Sequence, residues 1–160
     1  MKILFFGDIV GQPARQALKK IVPQLKKELE PDLVLANAEN VAHGQGLSQK
    51  ALEELSAVGF DYLTTGDHAY VLKESEQILS DKKQKILRPL NWPGSVAGRG
   101  FDLITVGTRR LLLVNLIGRV FMKHDFDDPF KKIEELLDDY SLKGKEQGSV
   151  TLEDALKYLA

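Results

Sequence analysis

Residues 3–40 read ILFFGDIVGQPARQALKKIVPQLKKELEPDLVLANAEN, and their pattern predicts a strand, a long helix and a second strand. Residues 2–7 are a short apolar run that ends in glycine, which is typical of a buried strand. Residues 12–30 repeat apolar side chains at helical spacing, although Pro23 is expected to kink or split that helix. Residues 32–37 are the second apolar run. A strand, a helix and another strand in this order predict the start of a parallel sheet.

The alternation of strands and helices continues along the rest of the chain. Further helices are predicted over 49–58, 70–81 and 131–139, and further strands over 60–65 and 85–88. A hairpin is predicted from strands over 101–106 and 110–116. Residues 41–46 and 89–100 are predicted to form loops because they are rich in glycine or proline. Thr151 is suited to cap a short final helix. This order predicts an α/β fold, a mostly parallel sheet with flanking helices and an antiparallel hairpin added to it.

Composition restricts the functions that the chain can have. The 160 residues fit one domain, and 22 basic against 23 acidic residues give a net charge of -1. Such a balance gives no strong field for non-specific nucleic-acid binding. The absence of cysteine excludes disulfides, thiol catalysis and thiolate metal sites. No stretch approaches the ~18 apolar residues of a transmembrane helix, so no membrane association is expected and the cytoplasm is the expected location.

Three of the predicted strands are each followed at once by a small polar cluster. The clusters are Gly7-Asp8, Asn37-Ala38-Glu39-Asn40 and Gly66-Asp67-His68. Ligands of an open α/β sheet bind beyond the carboxyl ends of its strands, so the three clusters should meet at one edge. The side chains brought there are Asp8, Glu39, Asn40, Asp67 and His68. Carboxylates, an amide and an imidazole together suit divalent metal ions.

Each cluster also has a plain structural interpretation. Asp8 could cap the following helix, the Asn-Ala-Glu-Asn cluster could be an exposed turn, and Asp67 could cap a helix that starts with a surface His68. Three other functional interpretations of Asp8 fail. Val10 stands where haloacid-dehalogenase-type phosphatases have a second aspartate, Ile9 stands where GDSL-type esterases have their serine, and the glycines form no dinucleotide-binding loop. In a metal site, His68 could protonate a leaving oxygen.

The segment Arg88–Pro93 adds two candidates for binding a phosphate group. Arg88 could clamp a phosphate or pair with a nearby carboxylate, and Asn91 could help to orient the phosphate. Further along, Asn115 and Arg119 follow a predicted strand and could line the same edge or have a structural role. We expect Arg88 and Asn91 to bind substrate.

The order of these motifs resembles that of a known family, the YmdB-like metallophosphoesterases, which are bacterial relatives of the calcineurin-like phosphoesterases. The matching stretches are ILFFGDIVG (3–11), NAENVAHG (37–44), GDH (66–68), LRPLNWP (87–93), NLIGR (115–119) and DDPF (127–130). The resemblance implies the N-terminal half of a four-layer sandwich fold. It also implies a dinuclear centre of Fe, Mn, Mg or Zn that hydrolyses phosphodiesters, including 2′,3′-cyclic nucleotides.

The resemblance also implies roles for individual residues. Asp8 would bind one metal ion, Glu39 would lie between the two, and Asn40 would bind metal or substrate near them. Asp67 falls where the family usually has an asparagine ligand, so it would ligate while adding negative charge. His68 matches the catalytic histidine.

The chain departs from the family in its length and in its histidines. Family members are considerably longer, and their second half supplies three further histidine ligands, whereas no histidine follows His124 here. Residues 1–160 are therefore expected to form a single, incomplete domain, with 141–160 as a tail beyond the family pattern. The alternative to a phosphodiesterase is an inactive α/β module that binds a nucleotide or a protein partner. A sheet left open would favour a homo-oligomer, and an RNA-related partner also fits the implied chemistry.

Overall fold

The computed structural model describes residues 1–144, with side chains up to residue 139. Its strands are β1 Ile3–Phe6, β2 Leu33–Asn37, β3 Tyr62–Thr64, β4 Ile86–Leu87, β5 Phe101–Val106 and β6 Arg109–Val114; its helices are α1 Gly11–Leu29, α2 Gln49–Val58, α3 Ser75–Ser80 and α4 Pro129–Gly144. The first four strands form one parallel sheet in the order β1-β2-β3-β4. The α/β prediction with a parallel sheet and a hairpin is confirmed. The predicted final helix after Thr151 lies outside the described residues.

One face of the parallel sheet is covered by helices. Leu18 and Val22 of α1 and Leu55 of α2 are buried in the same core cluster as Val34 of the central strand β2. The helix α2 begins at the expected cap, because the Ser48 hydroxyl accepts a hydrogen bond from the Ala51 amide at 3.2 Å. This face holds the main hydrophobic core and fixes the ends of the strands.

The opposite face is covered by the hairpin, which forms a sheet of its own. Strands β5 and β6 pair only with each other among the described residues, and they pack Ile104 and Leu111 against Leu35 and Tyr62 of the parallel sheet. The expected addition of the hairpin to the parallel sheet is therefore wrong. In this position the apolar residues of the hairpin and of the open sheet face bury one another.

The sequence predicts that β1 is a buried strand, and this prediction is wrong. It lies at the edge of the sheet, and Ile3 and Phe5 are 43% and 53% exposed. Leu4 and Phe6 point to the other face and pack against the helix-covered core. An apolar run identifies a strand, but it does not give the position of that strand in the sheet.

Three helix predictions differ from the structure. The helix α1 continues through Pro23 without a break. The helix predicted over 70–81 begins only at Ser75, because the chain before it forms tight turns, such as the bond from the Ala69 amide to the Gly66 carbonyl at 3.1 Å. The helix α4 starts at Pro129, where Asp128 accepts a hydrogen bond from the Phe130 amide at 2.9 Å.

Among the described residues, no helix combines the length and apolar character needed to cross a membrane.

Candidate functional site

The loop after β1 carries Asp8 in an uncommon backbone conformation. Asp8 is exposed and has φ of 45°, in the left-handed region that non-glycine residues seldom adopt. Backbone bonds fix this loop to the end of β2, from the Ile9 amide to the Asn37 carbonyl at 3.1 Å and from the Gly11 amide to the Asn40 carbonyl at 2.9 Å. The neighbouring strand thus determines where the Asp8 carboxylate lies.

The ends of β2 and β3 bring three potential metal ligands together. One ligand atom each from Glu39, Asp67 and His68 lie within 4.8 Å of one another, and all three side chains are partly buried. The Ala38 amide donates to the Thr64 carbonyl at 2.8 Å, which holds the two strand ends in register. Two carboxylates and an imidazole at this spacing suit a divalent metal ion.

Asn40 connects Asp8 to this group. Its Nδ2 donates to Asp8 Oδ1 at 2.7 Å, and its Oδ1 lies 2.6 Å from His68 Nδ1. Because a carboxylate can only accept hydrogen bonds, the amide must turn its nitrogen to Asp8 and its oxygen to His68. His68 Nδ1 therefore carries the proton that it donates to Asn40. The other ring nitrogen, Nε2, lies 3.9 Å from Asp67 Oδ2. It can therefore exchange a proton with a bound ligand.

The Glu39 carboxyl lies in an environment that disfavours its charge. Its pKa is raised above the ordinary value of 4.5, first by burial and then by the negative charge of Asp67. His68 acts in the opposite direction with a smaller effect. Two neighbouring carboxylates that are costly to ionise together are stabilised by a cation placed between them.

Gly66 makes the space in which the Glu39 carboxyl lies. A Cβ atom at position 66 would lie 1.9 Å from Glu39 Oε2 and 2.5 Å from Glu39 Cδ. Only glycine leaves this volume open, so Gly66 determines the position of the Glu39 side chain. The sequence prediction missed this residue; the only signal was its place directly before Asp67-His68.

The structure gives Arg88 and Asn91 other partners than a phosphate. The Arg88 guanidinium donates to the carbonyls of Pro89 and Leu90 at 2.8 and 3.1 Å. The Asn91 side chain is fully buried, with Nδ2 donating to the Ile117 and Asp127 carbonyls at 2.9 Å each. Both side chains hold loop backbone in place.

Asn115 and Arg119 follow the end of β6. Asn115 Nδ2 donates to the Thr65 carbonyl at 2.8 Å and the Leu87 carbonyl at 3.1 Å. Asn115 thereby holds the hairpin to the segment that precedes Gly66. Arg119 lies on the surface and approaches the carboxylates of Asp125 and Asp128 at 3.9 Å.

Substitution Asn91→Ala is expected to destabilise the fold by about 2–3 kcal/mol, because it leaves partly buried backbone groups without partners. These include the Ile117 amide, which donates to Asn91 Oδ1 at 3.0 Å. Urea denaturation of the variant and the parent protein measures this difference. An unchanged unfolding free energy together with weaker phosphate binding would instead support the substrate-binding role that the sequence predicts for Asn91.

Comparison with known proteins places the chain in a family. The sequence model of the YmdB-like protein family matches residues 4–154. The chain belongs to the YmdB-like family. The match also continues beyond residue 140, where we expected the family pattern to end.

A curated relative shares sequence with the chain, and two solved structures share both sequence and fold with it. A Bacillus subtilis (strain 168) protein named 2′,3′-cyclic-nucleotide 2′-phosphodiesterase is 39% identical over 137 residues, which are 86% of this chain and 51% of that protein. A crystal structure of a hypothetical protein from Thermus thermophilus has a TM-score of 0.80 at 37% identity, covering 87% of this chain and 53% of the other. A crystal structure of a novel phosphatase from Mycoplasma pneumoniae has a TM-score of 0.79 at 35% identity, covering 87% and 51%. The chain thus spans about half the length of the relatives it matches.

Proposed function

We propose that the chain supplies the metal-binding and proton-donating residues of a metal-dependent phosphodiesterase. Its substrate class would be 2′,3′-cyclic nucleotides or related phosphodiesters, including those derived from RNA. The observation that carries this proposal is the meeting of Glu39, Asp67 and His68 in a member of the YmdB-like family. The name of the Bacillus subtilis relative supports the same substrate class.

In this proposal Asp8, Glu39, Asn40 and Asp67 hold two divalent cations, of Fe, Mn, Mg or Zn. When bound, such cations act as Lewis acids that polarise the phosphoryl oxygens. The protein contributes mostly oxygen donors, and Asn40 keeps the Asp8 carboxylate within 2.7 Å of its amide nitrogen. Three carboxylates without cations would repel an anionic phosphodiester, so substrate binding requires the metal ions.

His68 is the proposed proton donor to the leaving oxygen. Asn40 holds Nδ1 at 2.6 Å and so fixes the orientation of the imidazole ring. A proton on Nε2 then faces the group formed by Glu39 and Asp67, where a bound phosphodiester would lie. General acid catalysis by a positioned histidine contributes roughly 10²–10⁴-fold to rates of this kind.

Substitution Glu39→Gln tests the proposal, because it keeps the size of the side chain and removes its charge. We expect Mn²⁺ to raise the melting temperature of the parent protein and to have little effect on the variant. Hydrolysis of bis-p-nitrophenyl phosphate or a 2′,3′-cyclic nucleotide with added Mn²⁺ should be lost in parallel. Equal Mn²⁺ responses of both proteins would contradict the metal site, and binding of a nucleotide without turnover would favour the inactive module.

The raised pKa of Glu39 also predicts how the stability of the metal-free chain depends on pH. A carboxyl with a higher pKa in the folded chain binds its proton more tightly when folded, so ionisation above the ordinary value of 4.5 costs stability. With a chelator present, the contribution of Glu39 to the melting temperature should fall as the pH rises from about 4.5 through the raised pKa. The melting temperature of the parent protein should therefore fall relative to that of Glu39→Gln over this pH range. Identical pH profiles of melting temperature for parent and variant would contradict this electrostatic account.

A further inference from the structure

The helix α1 carries one charged side chain into the core. Arg15 is 8% exposed, and among residues 1–139 it is the one buried residue with a charged side chain. Every lysine of α1 is at least partly exposed. A guanidinium is costly to bury unless acceptors match its donors. The partners of Arg15 therefore indicate what this side chain holds in place.

Arg15 joins the loop after Asn40 to the two helices. Its Nη1 donates to the Val41 carbonyl, and its Nε donates to Glu54 Oε2 of α2 at 2.9 Å. The pKa of the Glu54 carboxyl is lowered from its ordinary value, first by this hydrogen bond, so Glu54 stays charged opposite the guanidinium. The ion pair fixes Arg15 while a second arm of the same guanidinium holds the loop.

The start of α1 holds the preceding peptide group as well. The Gly11 amide donates to the Asn40 carbonyl at 2.9 Å. Gly11 and Arg15 are four residues apart, so they lie on the same face of the helix. One turn of α1 thus binds two consecutive carbonyls, those of Asn40 and Val41. The backbone that carries the Asn40 side chain is held on both of its peptide groups.

We propose that Arg15 is a positioning residue, which keeps the Asn40 amide directed at His68 by holding the Val41 carbonyl. The Asn40 Oδ1 lies 2.6 Å from His68 Nδ1, and its Nδ2 donates to Asp8 Oδ1 at 2.7 Å. A rotation of the loop backbone would break both contacts. This inference rests on the proposed function, because the oriented imidazole is the proton donor there.

The orientation of His68 can be measured without metal or substrate. Nitrogen NMR spectra of the chelator-treated parent chain, at a pH where the imidazole is neutral, should place the ring proton on Nδ1, as the bond to Asn40 requires. Arg15→Met removes the guanidinium and keeps an unbranched side chain. We expect a mixture of the two neutral tautomers of His68 in this variant, and roughly tenfold faster hydrogen exchange of the Gly11 amide.

Arg15→Lys gives a second variant that keeps a positive charge opposite Glu54. A lysine ammonium lacks the planar fork with which Arg15 binds Glu54 and the Val41 carbonyl in two directions. We expect this variant to be folded by circular dichroism and to show the same change of the His68 tautomer.

Lys26→Met is the matched control. Lys26 lies in the last turn of α1 and also donates to a loop carbonyl, that of Gly59, at 2.9 Å. Its removal should lower the unfolding free energy but leave the His68 tautomer and the exchange of the Gly11 amide as in the parent protein. If Arg15 had only a structural role, its variants would behave in the same way as Lys26→Met.

Hydrolysis provides a second measurement. Arg15→Met should lower kcat for a 2′,3′-cyclic nucleotide roughly tenfold with little change in KM, and it should affect bis-p-nitrophenyl phosphate less, since its leaving group needs no proton. The parent tautomer in the folded Arg15 variants, or an equal tautomer change in Lys26→Met, would overturn the proposal. Because the spectra are recorded without cations, this failure is distinct from a failure of Mn²⁺ binding in the proposed function.

Discussion

Gly66→Ala is expected to weaken cation binding by about 10–100-fold while leaving the chain folded. The added methyl group would lie 1.9 Å from Glu39 Oε2, so the carboxyl must leave its position. The obstructed atoms are at the far end of a flexible side chain, which can move without displacing backbone. Gly66 does not have a left-handed φ, so alanine can adopt its backbone conformation. The effect should therefore be confined to the site.

Gly118→Ala is the matched control for this substitution. Among the described residues, nothing lies within 4 Å of a Cβ at Gly118, and its φ is not left-handed. Calorimetric titration with Mn²⁺ should show the parent affinity for Gly118→Ala and the weakened affinity for Gly66→Ala. Parent affinity in a folded Gly66→Ala protein would show that the position of Glu39 does not determine cation binding.

His68→Ala is expected to lower the rate of phosphodiester hydrolysis by roughly 10²–10⁴-fold. The loss should be largest for a 2′,3′-cyclic nucleotide, whose leaving alkoxide needs a proton. It should be smaller for bis-p-nitrophenyl phosphate, because nitrophenolate leaves readily without one. Steady-state rates for both substrates at the same Mn²⁺ concentration measure this difference.

His43→Asn serves as the control for the loss of an imidazole. His43 is exposed, lies outside the group around Glu39 and has φ of 52°, a conformation that asparagine tolerates. Its rates should match those of the parent protein. If His68→Ala lowered the hydrolysis rates of both substrates equally and also weakened Mn²⁺ binding, His68 would be a metal ligand instead of a proton donor.

The meeting of the polar clusters could be predicted because parallel strands end at one edge. The apolar runs before Asp8, Glu39 and Asp67 identified three strands, and their connection by helices predicted a common direction. The sequence could not predict how the clusters touch. The amide of Asn40 lies between Asp8 and His68, and this orientation depends on loop geometry.

The candidates Arg88 and Asn91 show where residue type alone is insufficient. A guanidinium or an amide can donate to a backbone carbonyl as well as to a phosphate oxygen, and here both side chains donate to carbonyls. Gly66 shows the converse, because its contribution is an absent side chain. Only the neighbouring Glu39 carboxyl reveals that role.

The order of strands was also beyond the sequence. The apolar run of β1 and that of β2 look alike, yet β1 lies at the edge with Ile3 and Phe5 exposed, whereas β2 is central. The hairpin likewise packs on one face of the parallel sheet and forms a sheet of its own. Apolar patterns specify which segments form strands, while the competition for buried surface determines their neighbours.

The central claim is that separate strand ends form one site for divalent cations. Anomalous diffraction from a crystal of the chain soaked in Mn²⁺ tests it most directly. We predict a peak at about 2.0–2.6 Å from carboxylate oxygens of both Glu39 and Asp67. No peak at this edge of the sheet, or a peak bound only by other residues, would contradict the claim.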